Sequence, residues 1–187
     1  MELVMTTTLS PELTGTYALD TAHSRIGFVA RHAMVTKVRG SFNEWEGTAQ
    51  LDFTDPASSS ANVTIQVASI DTRQAQRDEH LRTNDFFDAP THPTITFAST
   101  SAEQDGDDFV LHGDLTIKGV TKPVSIAFEF TGASQDPFGN QRVGFEGTTI
   151  INRSDFGVSF NAALETGGVL VSEKITLELE ISAIKQA

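Results

Sequence analysis

The stretch Gly113-Asp-Leu-Thr-Ile-Lys-Gly-Val-Thr-Lys-Pro-Val-Ser-Ile-Ala-Phe-Glu-Phe130 decides how this chain reads. Leu115 and Ile117 alternate with Asp114, Thr116 and Lys118. Beyond Gly119, Val124, Ile126, Phe128 and Phe130 alternate with Ser125, Ala127, Glu129 and Thr131. Period-two alternation on both sides of a short Gly-containing turn predicts a β-hairpin with one apolar and one polar face. Such a hairpin covers a core on one side only. Pro123 has no N–H for a ladder, so it is expected at the first residue of its strand or at a bulge.

Outward from this hairpin the same design repeats. Towards the N-terminus lie the rows Phe109, Leu111, Gly113, Leu115, Ile117 and Ile95, Phe97, Ser99, then Ala61, Val63, Ile65, Val67. Before these, Trp45, Gly47, Ala49, Leu51 and Phe53 form an inward series. Phe42 has the wrong parity for it, which a bulge near Asn43 would repair. Ile26, Phe28 and Ala30 share one face of Arg25–His32, and Met34 to Val38 reads as one helical turn. Towards the C-terminus come Val143, Phe145, Gly147, Thr149, Ile151, a loop from Asn161 to Gly168, and a last row from Val169 through Leu177 to Ile181. Gln74 to Arg82 breaks the alternation and carries few apolar residues, so it predicts a short polar helix. Residues 1–13 are polar and Thr-rich and read as a flexible arm before one domain, 14–187.

About eight two-faced strands, with no long amphipathic helix to cover an open sheet, must cover one another. A closed antiparallel barrel suits strands of about 11 residues, which span roughly 36 Å and, tilted by about 40°, stand roughly 27 Å tall. The expected fold is therefore all-β, an extended eight-stranded barrel with one short helix between two strands. Small residues fall in the inward register: Ala30, Gly47, Ala49, Gly113 and Gly147. They either complement large neighbours in a packed interior or leave a tunnel.

Composition narrows the function. The formal net charge is −12, which argues against a nucleic-acid backbone or an anionic membrane surface as main partner. With no cysteine, disulfides, thiolate metal sites and a cysteine nucleophile are excluded. The first residues show no basic segment followed by an apolar run, so no secretory signal is read and a cytoplasmic location is expected, without stable membrane insertion.

Several phrases together resemble the YceI-like, or polyisoprenoid-binding, family. They are Asp20-Thr-Ala-His-Ser-Arg-Ile-Gly-Phe28 with Arg31-His32, Val38-Arg-Gly-Ser-Phe42, Arg77-Asp-Glu-His-Leu-Arg-Thr-Asn-Asp-Phe-Phe-Asp88 and His92-Pro-Thr-Ile-Thr-Phe-Ala-Ser-Thr100. The hairpin stretch through Val124 and Gly144-Phe-Glu-Gly-Thr-Thr-Ile-Ile-Asn-Arg-Ser-Asp-Phe-Gly157 complete the set. The resemblance runs from about Gly15 to about Ile184. It implies a lipocalin-like barrel whose apolar interior holds a long isoprenoid chain, usually without enzymatic activity, with homodimers common and many members exported.

On that basis the expected tunnel lining is Phe28, Ala30 and His32; Phe42, Trp45, Gly47 and Ala49; Val63, Ile65 and Phe97; Leu111, Gly113 and Leu115; Ile126 and Phe128; Phe145, Gly147 and Leu177. Arg73, Arg77 and His80 are spaced to share one helix face and could hold an anionic head group, although a solvated face explains them as well. The five histidines show no ligand spacing, so neither a metal nor a cofactor is expected. Asp78 and Glu79 read as solvated helix charge, and Arg153 with Asp155 as a structural pair. Two rivals remain: an enzyme acting on an isoprenoid lipid through His32 or His80, and a packed barrel serving as a stress or interaction module.

Overall fold

A computed structural model of the chain describes residues 11–33, 35–161 and 171–186. The deciding stretch forms β8 (Asp108–Ile117) and β9 (Val120–Gln135), joined by Lys118 and Gly119 at φ 53° and 77°. Two consecutive positive φ values give the tight turn whose twist matches that of the flanking strands. Pro123 sits inside β9, opposite Asp114, rather than at the strand's first residue. It is tolerated because β10 (Gln141–Asn152) pairs with β9 only from Ala127 onward, so no ladder bond is lost on that side.

Around the hairpin the remaining strands make a meander. β1 (Gly15–Leu19) and β2 (Arg25–His32) are two parts of one long strand, interrupted by a 3-10 turn at Thr21–His23. β3 (Thr36–Phe42) and β4 (Trp45–Leu51) are likewise one strand broken at Asn43 and Glu44, β2 pairing with β3 and β1 with β4. The change of parity after Phe42 is this break. Thr36–Val38 is strand, not helical turn, because the β2–β3 ladder runs from Ile26↔Phe42 to His32↔Thr36. β5 (Ser60–Gln66) continues into the two-residue β6 (Ile70–Asp71). α1 (Ala75–Leu81) follows, then β7 (Thr94–Asp105), and β11 (Lys174–Lys185) pairs with β10, β2 and β1.

The order β1-β4-β5-β7-β8-β9-β10-β11 closes back on β1, giving an eight-stranded antiparallel barrel with one short helix. The inward rows gather into two buried clusters, one around Trp45, Ile70 and Phe156 and one around Tyr17, Phe53 and Val143. The end of the expected arm is ordered: Pro11–Leu13 make a 3-10 turn, Leu13 is buried, and its carbonyl accepts the hydroxyl of the fully buried Tyr17 at 2.6 Å. The loop expected at 161–168 lies, beyond Asn161, outside the described residues. No helix among the described residues is long and apolar enough to cross a membrane.

Candidate functional site

The inward rows do not meet everywhere. Between them lies a cavity with about 200 Å³ of free volume. A single water centre needs only roughly 10–15 Å³. Counted out to its walls and including its open side, the space is about 1290 Å³. Pockets for drug-sized molecules span roughly 300–1,000 Å³. Its wall is almost wholly aliphatic and aromatic: Leu19, Ile26, Ala49, Val63, Phe97, Leu111, Leu115, Ile126, Phe128, Phe145, Leu177 and Leu179 are among its residues.

Glycines keep this bore open. Gly113 faces the ring of Phe97 and Gly147 the ring of Phe128 so closely that a Cβ on either would overlap it. Each ring therefore lies against the wall instead of standing into the space.

Both axial ends are filled. At the helix end, Val67, Ile70, Phe86, Ile117, Phe156 and Val158 are buried in one cluster with Phe42 and Trp45. Arg153, 5% exposed, organises the cover: it donates to the carbonyls of Val158 at 2.7 Å, Ser172 at 2.8 Å, Phe160 at 2.9 Å and Val171 at 3.2 Å. Burial pushes its pKa down, opposed by Glu173 at 3.7 Å, and its carboxylate partner is thus Glu173 rather than Asp155. At the other end Phe53, from beyond β4, meets Phe130 of β9 across the bore at 5.5 Å, and Phe130 meets Phe145 at 5.3 Å. Leu13, Tyr17, Val143 and Ala183 pack beneath them.

The sequence-predicted residues fall into three groups. Ala49, Val63, Ile65, Phe97, Leu111, Leu115, Ile126, Phe128, Phe145 and Leu177 line the cavity. Phe42 and Trp45 are buried in the packed helix end, Phe28 packs against Phe42 with ring centroids 5.6 Å apart, and Gly47, Gly113 and Gly147 give space to neighbouring side chains. Ala30 and His32 do not reach the bore. They lie past the last pair of the β2–β11 ladder, Val29↔Thr176, where only an isolated bridge from His32 to Val171 continues the pairing, and His32 is exposed rather than inward.

The helix residues divide as well. Arg77 donates through Nε to Thr72 Oγ1 at 2.8 Å and through its terminal nitrogen to the Thr72 carbonyl at 2.7 Å. His80 Nε2 lies 2.8 Å from Asp85, with its ring edge-on to Phe86 and Phe160. Arg73 is exposed. None of the three lines the cavity. Asp78 is not solvated charge: it is buried and accepts the Thr72 N–H at 2.9 Å. That bond ties α1 to β6.

Among the lining residues the sequence did not single out, Leu19 and Ala183 lie on the β1–β11 wall, and Asp52, Pro56, Ser59, Ala102 and Val110 lie where the Pro56–Ser58 turn meets the β7–β8 tip. Ala102 owes its position to a register shift in the β7–β8 pairing between Ser99 and Ser101, which reverses the parity of the β7 tip. The available signal was a lone apolar residue in an otherwise polar run from Ser99 to Asp107. Asp52 Oδ1 accepts from Thr54 N, Thr54 Oγ1 and Asp55 N at 2.7–2.9 Å, and these bonds, led by the Thr54 hydroxyl, hold its pKa below the ordinary carboxylate value. No Lys, Arg or His lines the cavity. Among the described residues no three of His, Asp and Glu converge as metal ligands would.

Fold and site together define a closed β-barrel that keeps an apolar, side-opening cavity between two packed ends. Residues 17–183 match the YceI-like domain family, to which this chain belongs. A UPF0312 protein of Vibrio vulnificus is 39% identical over 173 residues, covering 91% of this chain and 87% of that protein. Protein YceI of Escherichia coli is 36% identical over 164 residues, 88% and 83% of the two chains. Among solved structures, BcnA of Burkholderia cenocepacia superposes with a TM-score of 0.78 at 26% identity, over 88% of this chain and 98% of that one. A polyisoprenoid binding domain from Saccharophagus degradans, implicated in plant cell wall breakdown, has a TM-score of 0.69 at 15% identity over 91% and 98%. That last similarity shows the fold alone.

Proposed function

We propose that this protein encloses a long-chain apolar lipid in the barrel, for carriage, storage or sequestration, and that the lipid is of the isoprenoid class. The observation that carries the reading is the cavity itself, a wall of apolar side chains around a space too large for a few waters. Burial of apolar chain supplies the driving force, about 25 cal/mol per Å² before the entropy costs of binding. The isoprenoid class is supported by the family and by the fold shared with a polyisoprenoid binding domain. Binding without turnover is supported by the wall's chemistry. Its one ionisable side chain, Asp52, sits at the open side with its carboxylate already hydrogen-bonded.

Organic extraction and mass spectrometry of protein purified from its host should recover such a lipid. Ala49→Phe gives the structural test. Ala49 lines the cavity midway along β4, and Phe suits strand backbone. Ala49 borders the packed Tyr17, Phe53 and Val143 cluster on one side and the cavity on the other, so the ring has the cavity to enter and the delipidated variant should unfold within about 1 kcal/mol of the parent, whereas overpacking a filled core costs roughly 1–3 kcal/mol. Long isoprenoids should lose affinity because the bore is blocked. Marked destabilisation, with no lipid bound by the parent, would instead establish a packed barrel.

A further inference from the structure

A barrel filled at both ends must admit a ligand through its wall. Among the described residues, two places interrupt the ladder of neighbouring barrel strands. Between β9 and β10, pairing stops at Ala127↔Thr148, and the turn Arg153–Phe156 fills the gap with the buried Phe156. Between β5 and β7, pairing stops at Asn62↔Ala98, with one further bond from Ala61 N to Ser99 Oγ at 2.8 Å. Beyond it the register shift carries β7 out of its ladder with β5, and the 3-10 turn Pro56–Ser58 packs beside β7 without a strand ladder. Pro56, Ser59, Ala102, Phe109 and Val110 border this seam and line the cavity as well. Side chains rather than a backbone ladder close the wall here.

The seam is also charged. Asp52 lines it, Asp55 follows in the same turn, and Glu103, Asp105, Asp107 and Asp108 stand on the hairpin tip. Glu103 has His112 Nε2 at 3.6 Å on its outer side, and the cavity wall itself offers no Lys, Arg or His to offset the others. We propose that the seam between the Pro56–Ser58 turn and the β7–β8 tip is the ligand's doorway, and that its carboxylates favour an uncharged over an anionic head group. The inference rests on the carrier reading above. A negative head group approaching six carboxylates meets repulsion that slows association, whereas an uncharged one meets none.

A doorway residue that also lines the cavity should change how fast a ligand passes more than how well it is held. Ala102→Phe narrows the seam. With geranylgeraniol as probe, association and dissociation rates should both fall about tenfold, each by more than Kd changes. Phe109→Ala widens it, and both rates should rise. Thermal unfolding of both variants checks that the barrel is intact. Geranylgeranyl diphosphate should associate with the parent protein about tenfold more slowly than the alcohol at low salt. That difference should shrink at high salt and in a variant carrying Asp105→Asn, Asp107→Asn and Asp108→Asn together. Unchanged rates in both size variants, or a Kd change carried by dissociation alone, would overturn the doorway. Equal association of alcohol and diphosphate would overturn its selectivity. If the parent binds neither probe, the carrier reading fails first and the doorway with it.

Discussion

The helix end of the barrel and its middle are built from the same alternating strands, yet one is solid and the other hollow. At the helix end the inward rows receive side chains from outside the sheet: Phe86 from the loop after α1, Phe156 and Val158 from the turn after β10. In the middle no such insertion among the described residues reaches the axis, and Phe97 and Phe128 are laid against the wall by Gly113 and Gly147. Alternation makes a core-facing surface; whether that surface becomes a core depends on what the connections place against it.

The sharpest break of this comparison is truncation at the solid end. Phe156→Ala removes a ring that is 2% exposed, and a loss of about 3–5 kcal/mol is expected in chemical denaturation. Next is Gly147→Val, which forces the Phe128 ring off the wall. Overpacking should cost about 1–3 kcal/mol, and the displaced ring should weaken ligand binding as well. Leu177→Ala belongs to the hollow region. Leu177 is half-buried and faces space that already exists, so truncation should cost less than about 2 kcal/mol, below the usual Leu→Ala range. A cost at the solid-end level would mean that the middle is packed too.

The smallest expected effect lies at the far hairpin. Arg142 donates to Asp136 at 2.8 Å and to Asp20 at 2.7 Å, joining the β9–β10 tip to the turn between β1 and β2. This guanidinium holds the Asp136 carboxyl down at about 2 and lowers Asp20 as well. A depressed folded pKa gives stability that is present above the ordinary value of 3.8 and is lost as the pH falls through the folded value. Amide exchange at Gln135–Arg142 should therefore stay slow to about pH 3 and quicken towards pH 2. Arg142→Met should quicken it at neutral pH, while the cavity and the helix end keep their protection.

Much of this was legible in the sequence because strand faces are local. The hairpin at Lys118 and Gly119, the rows through Ala49, Leu111, Ile126 and Leu177, and the polar helix between two strands follow from periodicity and turn chemistry. Parity fails only where the backbone slips. The break at Asn43 and Glu44 and the register shift at Ser99 to Ser101 each reverse it, so the inward position of Ala102 is invisible in a strict two-residue count. His32 shows the opposite limit: its parity is inward, but it lies past the β2–β11 ladder, at an isolated bridge to Val171, and is exposed.

Other features belong to the tertiary structure alone. Asp78 reads as one more helix charge until Thr72 is found beside it, and Arg153 needs Glu173 and four carbonyls brought from 158–172. The hollow and its seam are of this kind. Sequence determined eight two-faced strands, their apolar rows and the need for them to close on one another. The cavity is a small difference between the volume the ring encloses and the volume its side chains fill, and the seam is the one unfilled remainder of the registers summed around the barrel among the described residues. Neither quantity is carried by any single residue, so only the closed structure decides them.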